Sequence, residues 1–230
     1  MSDNRHILVF DFETGGRDTS KCEIIQIGAV VINRNSLKIK DEFETMMKPD
    51  NFDALEDEGL KVNHITREQL ADAPDAKTMF PVFAEWIKKH NIRKDKGSFG
   101  APIPSGWGID GFDLPLFTRY CKQYGYWDKK WNNQSLLNPI FTFDVMKHVW
   151  FWFRANGDAA DNIKLPTVLE YMGVDQNEIA SGAHNALWDV KWTAKVAVKL
   201  LQVGSFLTEP RPDVGTRRLE MRGCFTGQKL

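Results

Sequence analysis

"ILVFDFETGG", residues 7–16, sets four apolar residues in succession and then two carboxylates, Asp11 and Glu13, one residue apart. Side chains alternate across a strand, so the two acids emerge on one face, roughly 7 Å apart along the chain. Like charges at the end of an apolar strand repel one another. Burying them calls for a basic partner, a shared proton or a bound cation. Working outward, "EIIQIGAVVIN" (23–33) is a second β-rich run and "EFETMMKP" (42–49) a weaker third, and together the three read as an antiparallel meander.

The chain has 230 residues, 42% hydrophobic and 27% charged, the composition of a folded globular protein. Its length suits one main domain, taken as residues 1–204, with a C-terminal tail from 205 to 230. The tail holds Pro, Gly and four arginines without periodicity. No apolar run reaches the roughly 20 residues that span a bilayer, and the N-terminus lacks a signal core, so the expectation is a cytoplasmic protein without membrane contact. Cys22, Cys121 and Cys224 form no CxxC pair, which argues against a disulfide framework or a zinc knuckle. With 30 basic against 31 acidic residues, the net charge of −1 gives no bulk attraction for a polyanion. Such a substrate must be held locally.

Residues 66–90 open with a Thr-x-x-Gln capping pattern and later place Phe80, Phe83, Ala84 and Ile87 at helical spacing, predicting one short and one longer helix. "GSFGAPIPSGWGI" (97–109) contains a weak strand among Gly and Pro. "FDLPLFTRYCKQYG" then starts a helix with Pro115 in its first turn, which puts Asp113 at a strand-to-helix junction. The segment "ALWDVKWTAKVAVKLL" (186–201) places Val190, Thr193, Ala194, Ala197 and Leu201 on one helical face, suited to packing on a sheet.

Acids therefore come from three separated segments: "DFET", "GFDLPLF" with Asp113, and "HNALWD" with His184 and Asp189. In this order, with "EIIQIGAV" after the first motif and "HIT" at 64–66, the chain resembles the DEDDh family of 3′-to-5′ exonucleases. That family includes proofreading subunits of bacterial replicative polymerases and oligoribonuclease, and the resemblance covers roughly residues 5–203. It implies an α/β fold of the ribonuclease H-like kind, a mixed five-stranded sheet flanked by helices. It further implies that Asp11, Glu13, Asp113 and Asp189 hold two divalent cations, Mg²⁺ or Mn²⁺, and that His184 is the general base. Oxygen donors suit these hard cations, and two of them would neutralise the acids, activate a water and stabilise the leaving 3′ oxygen. His184 precedes the helix that carries Asp189, so both can face one site. A neutral imidazole accepts a proton at physiological pH.

Competing readings attach to several positions. Asp113 could cap its helix, and Asp110 could compete for the ligand role, but Asp113 occupies the family's Phe-Asp position. Where the family often carries Asn, this chain has Ile109. Thr14, Gly15 and Gly16 form either a plain turn or a place where backbone N–H groups approach a phosphate or terminal sugar. His64 and Ile65 either close a loop or contact the terminal nucleotide, as the matching family segment does. His6, His90 and His148 read as structural, Asp144 as a helix cap. "VWFWF" (149–153) reads as mostly core with a surplus aromatic for a partner surface. The resemblance implies a Mg²⁺- or Mn²⁺-dependent exonuclease that releases nucleoside monophosphates from single-stranded or frayed DNA 3′ ends, with a polymerase as candidate partner. The alternatives are an exoribonuclease acting on short RNA and a non-catalytic subunit that binds nucleic acid or a polymerase.

Overall fold

The computed structural model describes residues 4–95, 97–157, 160–206 and 225–228. Strands β1 (Ile7–Thr14), β2 (Ile24–Ile32) and β3 (Ile39–Met46) form the antiparallel meander. Helices α1 (Asp57–Val62), α2 (Arg67–Asp72) and α3 (Ala76–Lys89) follow, and the Thr66–Gln69 capping box opens α2 as its sequence pattern predicts. Strand β4 (Ile103–Gly106) then joins β1 in parallel and leads through a 3₁₀ turn at Ile109–Gly111 into α4 (Asp113–Gln123). A small hairpin, β5 (Trp127–Asp128) and β6 (Asn133–Gln134), stands apart from the main sheet. It was not foreseen, because two-residue strands leave no periodicity to read. Strand β7 (Phe143–Asp144) completes the main sheet in the order β3-β2-β1-β4-β7 and runs directly into α5 (Val145–Asn156). Helices α6 (Leu165–Tyr171), α7 (Gln176–Gly182) and α8 (Ala186–Phe206) follow. This is the mixed five-stranded, helix-flanked sheet of a ribonuclease H-like fold.

Strand alternation divides the core into two layers. Leu8, Phe10 and Phe12 of β1 join Phe80 and Phe83 of α3 and Leu116 and Phe117 of α4 on one face. Ile7 and Val9 turn to the other face and pack with α5, α6 and α8. Asp11 and Glu13 continue the Ile7–Val9 row, so the acids point to the α8 side. All nine residues of β2 are buried, which accounts for its almost wholly apolar sequence, broken only by Gln26.

Gly28 is the point at which α8 meets the sheet. It pairs with Asp11 across β1 and β2, and a Cβ there would overlap the Ala186 carbonyl and the Leu187 nitrogen. The first turn of α8 can therefore lie directly on β2 backbone. A lone glycine inside an apolar strand marks such an approach.

Helix α8 runs through Phe206, two residues past the expected domain boundary at 204, with Val203 buried. Residues 207–224 and 229–230 of the expected tail lie outside the described residues. Phe225 is buried, its ring centroid 5.4 Å from that of Trp192 and its N–H donating to the Met172 carbonyl at 2.7 Å. The described part of the tail thus packs on the domain. In α5, Val149 and Phe153 are buried while Trp150 and Phe151 are exposed and Trp152 is half-buried, so the run is less of a core segment than expected, because the helix turns two of its aromatics to solvent. Among the described residues no helix is long and apolar enough to cross a membrane.

Replacing Gly28 with Ala is expected to destabilise the protein by about 1–3 kcal/mol, the usual effect of overpacking a filled contact. Urea unfolding monitored by circular dichroism measures it. A Val30→Ala variant, which opens space in the same strand, serves as the opposite steric control.

Candidate active site

Two elements bring three acids together. From β1 come Asp11 and Glu13, and from the first turn of α8 comes Asp189, and one carboxylate oxygen of each lies within 4.8 Å of the others. The start of α8 is held in place locally. Asn185 caps it, its side-chain oxygen accepting the Trp188 N–H at 3.0 Å and its carbonyl the Asp189 N–H at 2.9 Å. Gln26, opposite Glu13 in the ladder and only 4% exposed, accepts the Ala186 N–H at 3.4 Å and donates to Glu44 at 3.2 Å. Glu44 also receives the Asn185 amide at 3.4 Å. Gln26, Gly28 and Asn185 were not singled out as site residues from the sequence. The cap position of Asn185 before an apolar-periodic run was the available signal.

Asp113 arrives from the other side of β1. Pairing between β1 and β4 stops at Val9–Ser105, and beyond it the Phe12 N–H donates to Asp113 Oδ1 at 3.0 Å. The carboxylate thus occupies the place of a missing strand partner while facing the charge of Asp11. Asp110, its rival in the sequence, points instead to Lys147 Nζ at 2.5 Å in a partly exposed ion pair. Ile109 is fully buried in the first core and offers no polar contact.

The two histidines of the motifs share an unusual backbone. His64 and His184 have φ of 54° and 68°, the left-handed region that favours glycine. Each follows a helix end. The Ile65 N–H returns to the Leu60 carbonyl at 3.1 Å, closing α1 with His64 in the left-handed position. His184 lies between α7 and α8, and its N–H donates to Asp189 Oδ2 at 3.2 Å, tying it to an acid of the cluster. Both side chains are exposed and they face each other electrostatically. Desolvation first, then the neighbouring His64 and Lys164, lower the pKa of the His184 imidazole and favour its neutral form.

Ile65, next to His64 in the chain, is buried with Leu55, Leu60 and Leu70. The Thr14 hydroxyl donates to the Gly16 carbonyl at 2.7 Å, and the Thr14 carbonyl accepts the Asn63 amide at 3.2 Å. The Gly15 N–H is spent on the Glu23 carbonyl, and a Cβ at Gly15 would strike the Leu55 side chain. Close packing of the Leu55 segment accounts for this glycine.

The carboxylates are poised against their own charge. Burial raises Asp11 to about 6. Burial together with the charges of Asp11, Asp189 and Asp113 raises Glu13 to about 9. Asp189 is raised to about 8 by burial and by Asp11, against the opposing hydrogen bond from His184. Asp113 is raised by burial and by Asp11, against the Phe12 N–H. Among the described residues no Lys or Arg pairs with the Asp11–Glu13–Asp189 cluster. An all-oxygen set of this kind fits hard divalent cations, which would replace the protons the acids otherwise retain.

Fold and cluster together describe a ribonuclease H-like architecture with an acidic centre of the kind that can hold divalent cations. Residues 8–99 match the model of the RNase_T family, described as Exonuclease. Over 195 residues it is 26% identical to the DNA polymerase III subunit epsilon of Aquifex aeolicus, covering 85% of this chain and 80% of that one. The 3′-5′ exoribonuclease 1 of Rattus norvegicus is 24% identical over 204 residues, covering 86% of this chain and 54% of the relative. Among solved structures, the zinc-bound complex of E. coli exonuclease I with single-stranded DNA superposes with a TM-score of 0.67 at 16% identity, over 88% of this chain and 41% of the other. The chain thus spans most of the epsilon subunit but about half or less of the other two.

The raised carboxylates give a pH prediction with a definite sign. Their folded-state pKa values lie above the unfolded values near 4, so the stability tied to their protonation is complete below about pH 4 and is lost as pH rises through 6 to 9. In chelator the melting temperature should fall across that range. Adding Mn²⁺ should remove most of the fall, and Glu13→Gln should reduce it without metal; differential scanning calorimetry at several pH values measures both.

Proposed function

We propose that this chain is a Mg²⁺- or Mn²⁺-dependent 3′-to-5′ exonuclease that hydrolyses the terminal phosphodiester of single-stranded or frayed DNA and releases nucleoside monophosphates. The observation that carries this reading is the cluster of Asp11, Glu13 and Asp189, with Glu13 buried and the other two half-buried, formed at an energetic cost and left without a basic partner among the described residues. Asp113, bonded to the neighbouring strand amide, would complete the set that holds two cations. When bound, such cations supply Lewis-acid stabilisation of charge on the phosphate and the leaving 3′ oxygen.

The chain's own residues do the rest. His184 Nδ1 or Nε2 takes the proton of the attacking water, its neutral form favoured by its surroundings and its place kept by the backbone bond to Asp189. His64, held over the site in its left-handed turn, contacts the terminal nucleotide, with Ile65 next to it and Thr14 and Gly15 as the adjoining wall. DNA is favoured over RNA by the coverage of 80% of the epsilon subunit. A polymerase subunit is the matching partner. The similarity to exoribonucleases supports RNA as the second reading.

End-labelled DNA and RNA oligomers, incubated with Mg²⁺ or with chelator, test the proposal. Release of labelled mononucleotide from a 3′-labelled DNA strand, abolished by chelator, is expected; a protein inert on both substrates would refute the activity. The two left-handed histidines sharpen the test. A His184→Gly variant relieves the backbone strain while removing the imidazole. It should melt at or above the temperature of the unaltered protein, yet turn over about 10²- to 10⁴-fold more slowly, the usual effect of losing a positioned base. Near-normal kcat in that variant would return His184 to a structural role.

A further inference from the structure

Asp113 is delivered by a turn whose side chains are anchored at two places: the Trp107 indole donates to the Ile163 carbonyl at 3.1 Å, and Ile109 is buried in the first core. Past Gly106 the chain leaves the sheet, passes Gly108 in the left-handed region (φ 71°), makes the 3₁₀ turn at Ile109–Gly111, and enters α4 through Phe112 at φ −138°, ψ −67°. Phe112 contributes no side-chain cap to the helix that Asp113 begins. Holding the backbone of the turn as well would keep Asp113 in one position.

Asp144 is the residue placed to do so. It ends β7 in register with Gly106 and is 3% exposed. Its Oδ1 accepts two backbone N–H groups: that of Lys147, as the cap of α5, at 3.2 Å, and that of Gly108, inside the turn, at 3.3 Å. A helix cap requires only the first. Its Oδ2 is buried without a hydrogen-bond partner, and the Lys147 ammonium stands 3.6 Å away. The same ammonium reaches across to Asp110 in the turn. The residue thus joins a helix start, a strand end and the turn through one carboxylate oxygen, with a lysine balancing the charge. An exposed pair such as Lys147–Asp110 contributes little alone, whereas a buried acceptor shared by two amides holds firmly.

We propose that Asp144 is a positioning residue for the cation-binding site: by holding the Gly108 amide it fixes the 107–112 turn and hence the Asp113 carboxylate. Asp144 touches neither substrate nor reacting atoms in this role and acts through Asp113. The inference rests on the cation-dependent activity proposed above, and its test separates the two.

Two substitutions divide the functions of Asp144. Asp144→Ser keeps an acceptor for the α5 cap but is too short to reach Gly108 as well. Asp144→Asn keeps Oδ1 and both amides while discarding the charge. Hydrogen exchange of the 106–117 segment, measured on the full chain in chelator, reports on the turn without reference to metal. Exchange should be faster in Asp144→Ser and unchanged in Asp144→Asn. Titration calorimetry with Mn²⁺ should then show binding weakened about tenfold or more in Asp144→Ser, the range for residues that orient metal ligands, and restored in Asp144→Asn. Unchanged exchange in Asp144→Ser overturns the tether. Faster exchange with unaltered Mn²⁺ affinity shows a turn held for its own sake and overturns the positioning role. Equal weakening in both variants assigns the effect to the charge and overturns it too. An unaltered protein that takes up no Mn²⁺ refutes the proposed function instead, while the exchange data still decide whether Asp144 holds the turn.

Discussion

The contact between Gly28 and the Ala186 backbone sets the geometry on which the candidate site depends. A helix normally stands off a sheet by the thickness of two side-chain layers. Here α8 comes down to backbone contact at one residue, and that residue is the ladder partner of Asp11. One turn later the helix carries Asp189 to the same carboxylate. Gln26 and Asn185 adjust the approach, but without the missing side chain at Gly28 they would have nothing to adjust. The polar centre is thus made by removing bulk from an apolar strand.

What the approach assembles is locally unfavourable. Several buried carboxylates repel, and the bonds that oppose the repulsion are few: the Phe12 amide on Asp113 and the His184 amide on Asp189. Stability comes from the layers on either side. Phe10, Phe80, Phe83 and Phe117 fill one, and Val9, Val30, Val149 and Trp192 the other. Each such side chain contributes about 1.5–3 kcal/mol on burial. Two apolar cores therefore clamp a sheet whose central strand bears the charges.

Legibility in the sequence followed the range of the interactions involved. The meander, the Thr66 capping box, the α4 start at Asp113 and the α8 face are local patterns, and each is present in the fold. Alternation along β1 correctly placed Asp11 and Glu13 on one face. The meeting of Asp189 with them came from the family resemblance, because no local pattern encodes it. The strand vacancy filled by Asp113, the overlap at Gly28 and the second amide held by Asp144 all join residues tens of positions apart, so propensity and spacing are silent on them. The left-handed turns at His64 and His184 were equally hidden, since glycine is the residue that signals such a backbone. Gly15 was open between a plain turn and a close approach to substrate, and its packing against Leu55, tens of residues away, was as hidden as the others.

The row of acids on β1 has a consequence for how this chain can change over generations. Drift toward neutral side chains at Asp11, Glu13 or Asp189 removes repulsion and leaves both apolar layers intact, so the altered fold gains robustness as it loses chemistry. Nothing in the packing protects the acids. Mutational decay would therefore produce silent, well-folded descendants more readily than misfolded ones, and a descendant that still carries the full set is one in which the chemistry itself has been kept under selection.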